Sequence, residues 1–194
     1  MYGTKGRLMK KNALIIIDMV KDYFNPEKEY PITGHAKSII PPINHLISVF
    51  REKDLPVVFS TDAFQEDDFL FKGRMHPHAI KGTQGAEVVD DLDMKPADLW
   101  LPKPRFSAFF NTGLEIILRE QNVTSCAVAG IATSFCVLTT AMDSICHNFE
   151  TVILEDCSAA FSEEAHNQCL DLYRKNPLDP LFRILTSDEL ITEL

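Results

Sequence analysis

A chain of 194 residues, 45% hydrophobic and 24% charged, is long enough to bury a full core as one domain without disulfide or metal staples. Its formal charge of −9 leaves no basic block for phosphates, which excludes nucleic acid and an anionic membrane surface as main partners. Five cysteines with no C-x-x-C pair argue against a disulfide framework or zinc ribbon, and no apolar run approaches the roughly 20 residues of a membrane span, so a cytoplasmic setting is expected.

The first eleven residues are polar and basic, lack the apolar core of a signal peptide, and are expected to form a flexible start. Ala13 to Ile17 is a continuous apolar run ending at Asp18, the pattern of a parallel strand covered by helices on both faces. Tyr23 to Gly34, with two prolines and a glycine, reads as a loop. Ile39, Ile40, Ile43, Leu46, Ile47 and Phe50 share one face of a helix expected from about Ala36 to Lys53, its start delayed or kinked by Pro41 and Pro42. Leu55 to Thr61 is a second strand, ending at Asp62. Ala63 to Gly85 is the longest irregular stretch and carries His76, His78 and the turn Gly82-Thr83-Gln84-Gly85; a loop this long either carries function or conceals an element.

Asp98 to Leu101 is a third, short strand leading into Pro102-Lys103-Pro104-Arg105-Phe106, and Thr112 is placed to cap a helix reaching about Glu120. Val123 to Ala129 is a fourth strand. The small residues Gly130, Ala132, Thr133 and Ser134 bridge it, through Cys136, to a helix from Val137 to Asn148. Glu150 to Leu154 is a fifth strand, Ser162 caps a further helix, Phe182 to Leu185 is the last strand, and Ser187 opens a terminal helix. Cys126, mid-strand, and Cys146, on a helix, read as core residues.

Strands alternating with helices predict an α/β fold of three layers, α/β/α, around a mostly parallel six-stranded sheet in a Rossmann-like arrangement. Right-handed crossovers bring the C-terminal ends of the strands to one edge, where ligands bind near the switch in strand order. No glycine-rich phosphate loop follows the first strand, so nucleotide binding of that kind is not expected. Asp18, Lys103 and Cys136 all fall on that edge. A carboxylate, an ammonium and a thiol in one place make a nucleophile with its base and an activating cation. Placed in a first helical turn beside Lys103, Cys136 is expected to have a lowered pKa and a raised thiolate fraction. Taken singly, the cysteine reads as a packed hydrophobe, Asp18 as a helix cap and Lys103 as a solvated charge. Their coincidence at strand ends favours a site. The non-enzymatic reading is a redox or binding module using a reactive Cys136.

The segments ALIIIDMVKDYF around Asp18, KPRFSAFFNTGL beginning at Lys103 and GIATSFCVLTTAMDS around Cys136 resemble the cysteine-hydrolase branch of the isochorismatase-like superfamily. Nicotinamidases and N-carbamoylsarcosine amidases belong to that branch, and the resemblance runs from about Asn12 to Leu185. It implies an isochorismatase-like hydrolase domain with an Asp18–Lys103–Cys136 triad. It also implies a cis peptide at Ile131–Ala132, so that the N–H groups of Ala132 and Cys136 form an oxyanion hole. The implied activity is nicotinamidase-like: hydrolysis of a small amide or ureido compound through a thioester, with ammonia released and no cofactor required for the chemistry. N-carbamoyl or maleamate-type amidases are the alternative, and the cysteine disfavours isochorismatase-type hydrolysis.

In nicotinamidases an aspartate, a histidine two residues on, and a second histidine before a G-T-x-G turn hold zinc or a similar divalent ion. Asp62 and His78 match, but Phe64 stands at the middle position and cannot ligate, so His76, Glu66, Asp67 or Asp68 would have to reach in. The other reading is that Asp62 and His78 hydrogen-bond each other. Tyr23 stands where nicotinamidases place a ring-stacking phenylalanine and Met75 where they often have tryptophan. Phe106, Phe135 and Phe64 are expected to wall the substrate pocket, and Arg105 to support Asp18 or a substrate carboxylate. A homo-oligomer, dimer or tetramer, is also implied.

Overall fold

The computed structural model describes residues 10–28 and 30–194. Its strands are β1 (Asn12–Ile17), β2 (Val57–Asp62), β3 (Leu99–Lys103), β4 (Ser125–Ile131), β5 (Glu150–Ala159) and β6 (Phe182–Leu185). They form one sheet in the order β3-β2-β1-β4-β5-β6, and every neighbouring pair is parallel. The helices are α1 (Lys21–Phe24), α2 (Thr33–Ser38), α3 (Ile40–Glu52), α4 (Leu114–Glu120), α5 (Leu138–Cys146), α6 (Glu163–Asp171) and α7 (Ser187–Glu193).

Side chains along β1 alternate between two cores. Leu14 and Ile16 pack with Ile43, Leu46, Ile47 and Phe50 of α3 and Leu190 of α7. Ala13, Ile15 and Ile17 pack with Leu114 and Leu118 of α4, Ala141 of α5 and Leu170 of α6. Burial on both faces explains why β1 reads as an unbroken apolar run. The three layers are therefore those expected.

Strand order reverses between β1 and β4: the chain proceeds from β1 through β2 to β3 in one direction and from β4 through β5 to β6 in the other. The crevice at such a switch point lies outside the carboxyl ends of the two central strands. Closing it requires Gly130. A Cβ built there would stand 2.1 Å from the Ile17 carbonyl oxygen, and its φ of 107° suits glycine alone.

Several expected boundaries shift. The stretch read as a loop from Tyr23 to Gly34 contains the end of α1 and the start of α2. α3 begins at Ile40 with both prolines in its first turn, where a missing N–H costs nothing. β5 continues to Ala159 past a register shift opposite Val128 and Gly130. Thr112 lies one residue outside the cap of α4, which is Gly113, although its hydroxyl still accepts from the Leu114 N–H. Cys126 is buried as expected, but Cys146 is exposed because it faces away from the sheet near the end of α5.

The expected flexible start falls mostly on residues 1–9, outside the described residues. Lys10 and Lys11 are held in place: the Lys11 N–H donates to Thr124 Oγ1 (3.0 Å), and Lys10 Nζ pairs with Glu150 (2.9 Å). No helix among the described residues is long and apolar enough to cross a membrane.

Candidate active site

Asp18 directly follows β1 and adopts a positive φ of 54°, a conformation that aspartate tolerates better than most residues. Its N–H still donates to Ser60 O (2.9 Å), so the backbone stays tied to β2. Asp18 Oδ1 accepts the Asp62 N–H (2.7 Å) and Oδ2 accepts from Lys103 Nζ (2.9 Å). Lys103 is the last residue of β3, in register with Asp62 at the end of β2, and its side chain is fully buried. Its ammonium also contacts Asp62 Oδ1, so it lies between two carboxylates. Cys136 completes the group: its Sγ and one oxygen each of Asp18 and Asp62 lie within 4.8 Å of one another. Topology thus brings Asp18, Lys103 and Cys136 together as expected, and adds Asp62.

The peptide at Ile131–Ala132 is cis. It leads into a wide turn of π type, Thr133–Val137, in which the Val137 N–H reaches back to Ala132 O (3.3 Å). Cys136 therefore sits in this turn, ahead of α5. The turn is also braced from α6: His166 Nδ1 lies 2.8 Å from Thr133 Oγ1. That brace was not foreseen, because nothing in the spacing of Thr133 and His166 signals contact.

Electrostatics correct one expectation. Burial pushes the Cys136 thiol well above its ordinary range; the charges of Asp18 and Asp62 add to this, and Lys103 opposes it. Burial, with the charge of Asp18 added to it, outweighs the expected activation by Lys103, so the resting group is a neutral thiol 7% exposed to solvent. Asp62 is pushed up to about 7, chiefly by burial and next by Asp18, against the pull of Lys103. Lys103 itself is raised: the charges of Asp18 and Asp62 overcome the burial that would lower it.

The residues matched to a metal site do not fit one. Asp62 is engaged by Lys103, and Asp62 and His78 do not hydrogen-bond each other. His78 Nδ1 lies 2.8 Å from the His76 carbonyl oxygen and Nε2 lies 2.8 Å from the Tyr23 hydroxyl, so both ring nitrogens are committed. Phe64 fills the third position with carbon; it is 1% exposed and edge-on to the His78 ring at 5.4 Å. Of the other candidate ligands, Asp68 accepts from Leu70 N and Arg105, and His76, Glu66 and Asp67 are exposed. Among the described residues, the one group with metal-like spacing is Asp18, Asp62 and Cys136, and there the Lys103 ammonium already supplies the positive charge.

The expected aromatic walls separate. Phe106 and Phe135 lie together with ring centroids 6.2 Å apart, and Phe161, not anticipated from sequence, meets Phe135 at 6.4 Å. Phe64 belongs instead to a small buried cluster with Val20, Ala79 and Ala86, against which Tyr23 packs, and its ring meets that of His78. Arg105 turns away from Asp18 and pairs with Asp68 (3.1 Å). The loop facing the site is pinned by Asp22, which accepts from the Ala79 N–H (2.8 Å) and lies so close to Gly85 that a Cβ there would stand 2.5 Å away.

Residues 12–187 match the family model of the isochorismatase domain. Over 169 residues the chain is 32% identical to a probable inactive nicotinamidase of Arabidopsis thaliana, covering 81% of this chain and 85% of that one. Among solved structures, N-carbamoylsarcosine amidase from Thermoplasma acidophilum superposes with a TM-score of 0.77 at 29% identity, over 92% of this chain and 97% of that chain. Pyrazinamidase of Pyrococcus horikoshii, solved in complex with zinc, gives a TM-score of 0.78 at 29% identity, over 91% and 99% of the two chains.

Proposed function

The chain is a hydrolase of the isochorismatase family, and we propose that it cleaves a small amide or ureido compound with Cys136 as nucleophile and releases ammonia. The observation that carries this reading is the placement of Cys136 Sγ beside the Asp18 carboxylate, with Lys103 behind it, at the sheet's switch point. Because the resting thiol is neutral, its proton must leave as the sulfur attacks, and Asp18 is the base within reach.

Sulfur bonds to the carbonyl carbon while Asp18 takes the thiol proton. The resulting oxyanion is received by the N–H groups of Ala132 and Cys136, a donor type worth about 2.7–4 kcal/mol each. Asp18 then returns its proton to the leaving nitrogen, the C–N bond breaks, and ammonia departs from a thioester. Water adds next: Asp18 accepts its proton, the C–S bond breaks, and the sulfur recovers that proton as the acid product leaves. Lys103 keeps Asp18 oriented and offsets charge as the thiolate forms. No step passes through a metal ion.

Cys136→Ala is expected to fold like the parent, since it removes one small buried atom, and to release no ammonia from any small amide. Ammonia measured from nicotinamide and from N-carbamoyl compounds, alongside a thermal melt, tests this. Parental ammonia release in the folded variant overturns the reading.

A further inference from the structure

We infer that this site selects uncharged amides and disfavours substrates bearing a carboxylate, an inference that takes the amidohydrolase reading as its basis and narrows its substrate. A substrate carboxylate needs a free cation or unspent N–H donors. Asp18, Asp62 and Lys103 together carry a charge of −1 with both carboxyls ionised and none with one protonated, and only protonation of both would make the three positive.

Other basic residues on the surrounding segments are paired or exposed to solvent. Arg105, which follows β3, is turned to Asp68 (3.1 Å). After β1, Lys28 pairs with Asp22 (2.6 Å) and Lys21 with Glu87 and Asp90. On the loop after β2, Lys72, Arg74 and Lys81 are exposed to solvent.

A further polar group near these carboxyls is Tyr23, close enough to Asp62 and Asp18 for their charges to act on it. A carbonyl oxygen only accepts, so His78 Nδ1, facing His76 O, carries the hydrogen. In the neutral ring Nε2 is then an acceptor, and the Tyr23 O–H donates to it. Burial and those negative neighbours hold the phenol well above its ordinary range, so it stays protonated. With that proton spent on His78, the Tyr23 oxygen offers lone pairs alone. It can receive an N–H and repels a carboxylate.

The test compares alkylation of Cys136 in the 194-residue chain by iodoacetamide and by iodoacetate, reagents alike except that one carries an amide and the other a carboxylate. Rates are followed on the Cys136 peptide by mass spectrometry, to separate it from exposed Cys146. The uncharged thiol N-acetylcysteine amide sets the reference ratio under the same buffer and salt. The amide preference at Cys136 is expected to exceed the reference by about tenfold or more, and to shrink in Tyr23→Phe. A Cys136 ratio at or below the reference overturns the inference, and an undiminished ratio in Tyr23→Phe overturns the part assigned to that hydroxyl. Amide preference at Cys136 without ammonia release from any amide breaks the hydrolase reading while leaving the charge selection standing. Equal ammonia release from neutral and carboxylate-bearing amides does the reverse.

Discussion

Phe64 decides what the loop after β2 can do. An imidazole there would give the sequence the appearance of a three-donor metal site, but two further conditions fail in the fold: Asp62 is held by Lys103, and His78 has spent both nitrogens on His76 O and Tyr23. A third donor therefore finds no second or first. Phe64→His is expected to bind no stoichiometric zinc after dialysis against the metal. It should also destabilise the protein by about 1–3 kcal/mol, because a polar ring replaces an apolar one in the dry cluster of Val20, Ala79 and Ala86. Urea denaturation and elemental analysis check both parts; one zinc per chain would show that His78 can be released. The mismatch at Phe64 was legible in the sequence. The diversion of Asp62 to Lys103 was not, since it depends on the β2–β3 register that sets these two residues side by side.

At the scale of elements, the approach of β4 to β1 holds the site in shape. Ile17 pairs with Gly130, and the next residues along are Asp18 on one strand and the Ile131–Ala132 turn leading to Cys136 on the other. Gly130→Ala would push a methyl group into the Ile17 carbonyl at a φ of 107° and part the two strands where base and nucleophile must meet. A loss of about 3 kcal/mol or more in urea denaturation is expected, with ammonia release falling further than the lost folded fraction accounts for. A stability change under about 0.5 kcal/mol, the usual range for a harmless surface change, would show the approach to be adjustable. The inner strands β1, β2, β4 and β5 could be read from apolar runs, because burial on both faces writes itself into composition, whereas the partly exposed edge strands β3 and β6 rested on shorter runs. The wide turn at Thr133–Val137 and its brace from His166 could not, since both follow from tertiary contact rather than local pattern. Nor could exposed Cys146, whose helical spacing does not say which face meets the sheet.

For the molecule as a whole, the buried charges link the site to folding stability. The site demands a neutral thiol, two carboxyls and an ammonium out of water, and the Asp62 carboxyl carries much of that cost. Its pKa rises from 3.8 to about 7 on folding, so the folded chain holds a proton there that the unfolded chain has released. The Asp62 contribution to stability must therefore fall as pH climbs through that window and level off above it. Lys103 acts with the opposite sign and elsewhere: its raised pKa adds stability below the ordinary lysine value of 10.5, lost only as pH climbs beyond it, and so contributes no slope near neutrality. Asp62→Asn removes the carboxyl and its slope while keeping a side chain of the same shape. Urea denaturation of both proteins across this range should show the parent losing stability relative to the variant as pH rises from about 4 to about 7. The limit for one proton is about 1.4 kcal/mol per pH unit. Parallel curves would mean that Asp62 ionises in the fold as freely as in water, with Lys103 fully compensating its burial. The thiol would then face a permanent second carboxylate at every working pH, and proton removal by Asp18 would have to occur against it.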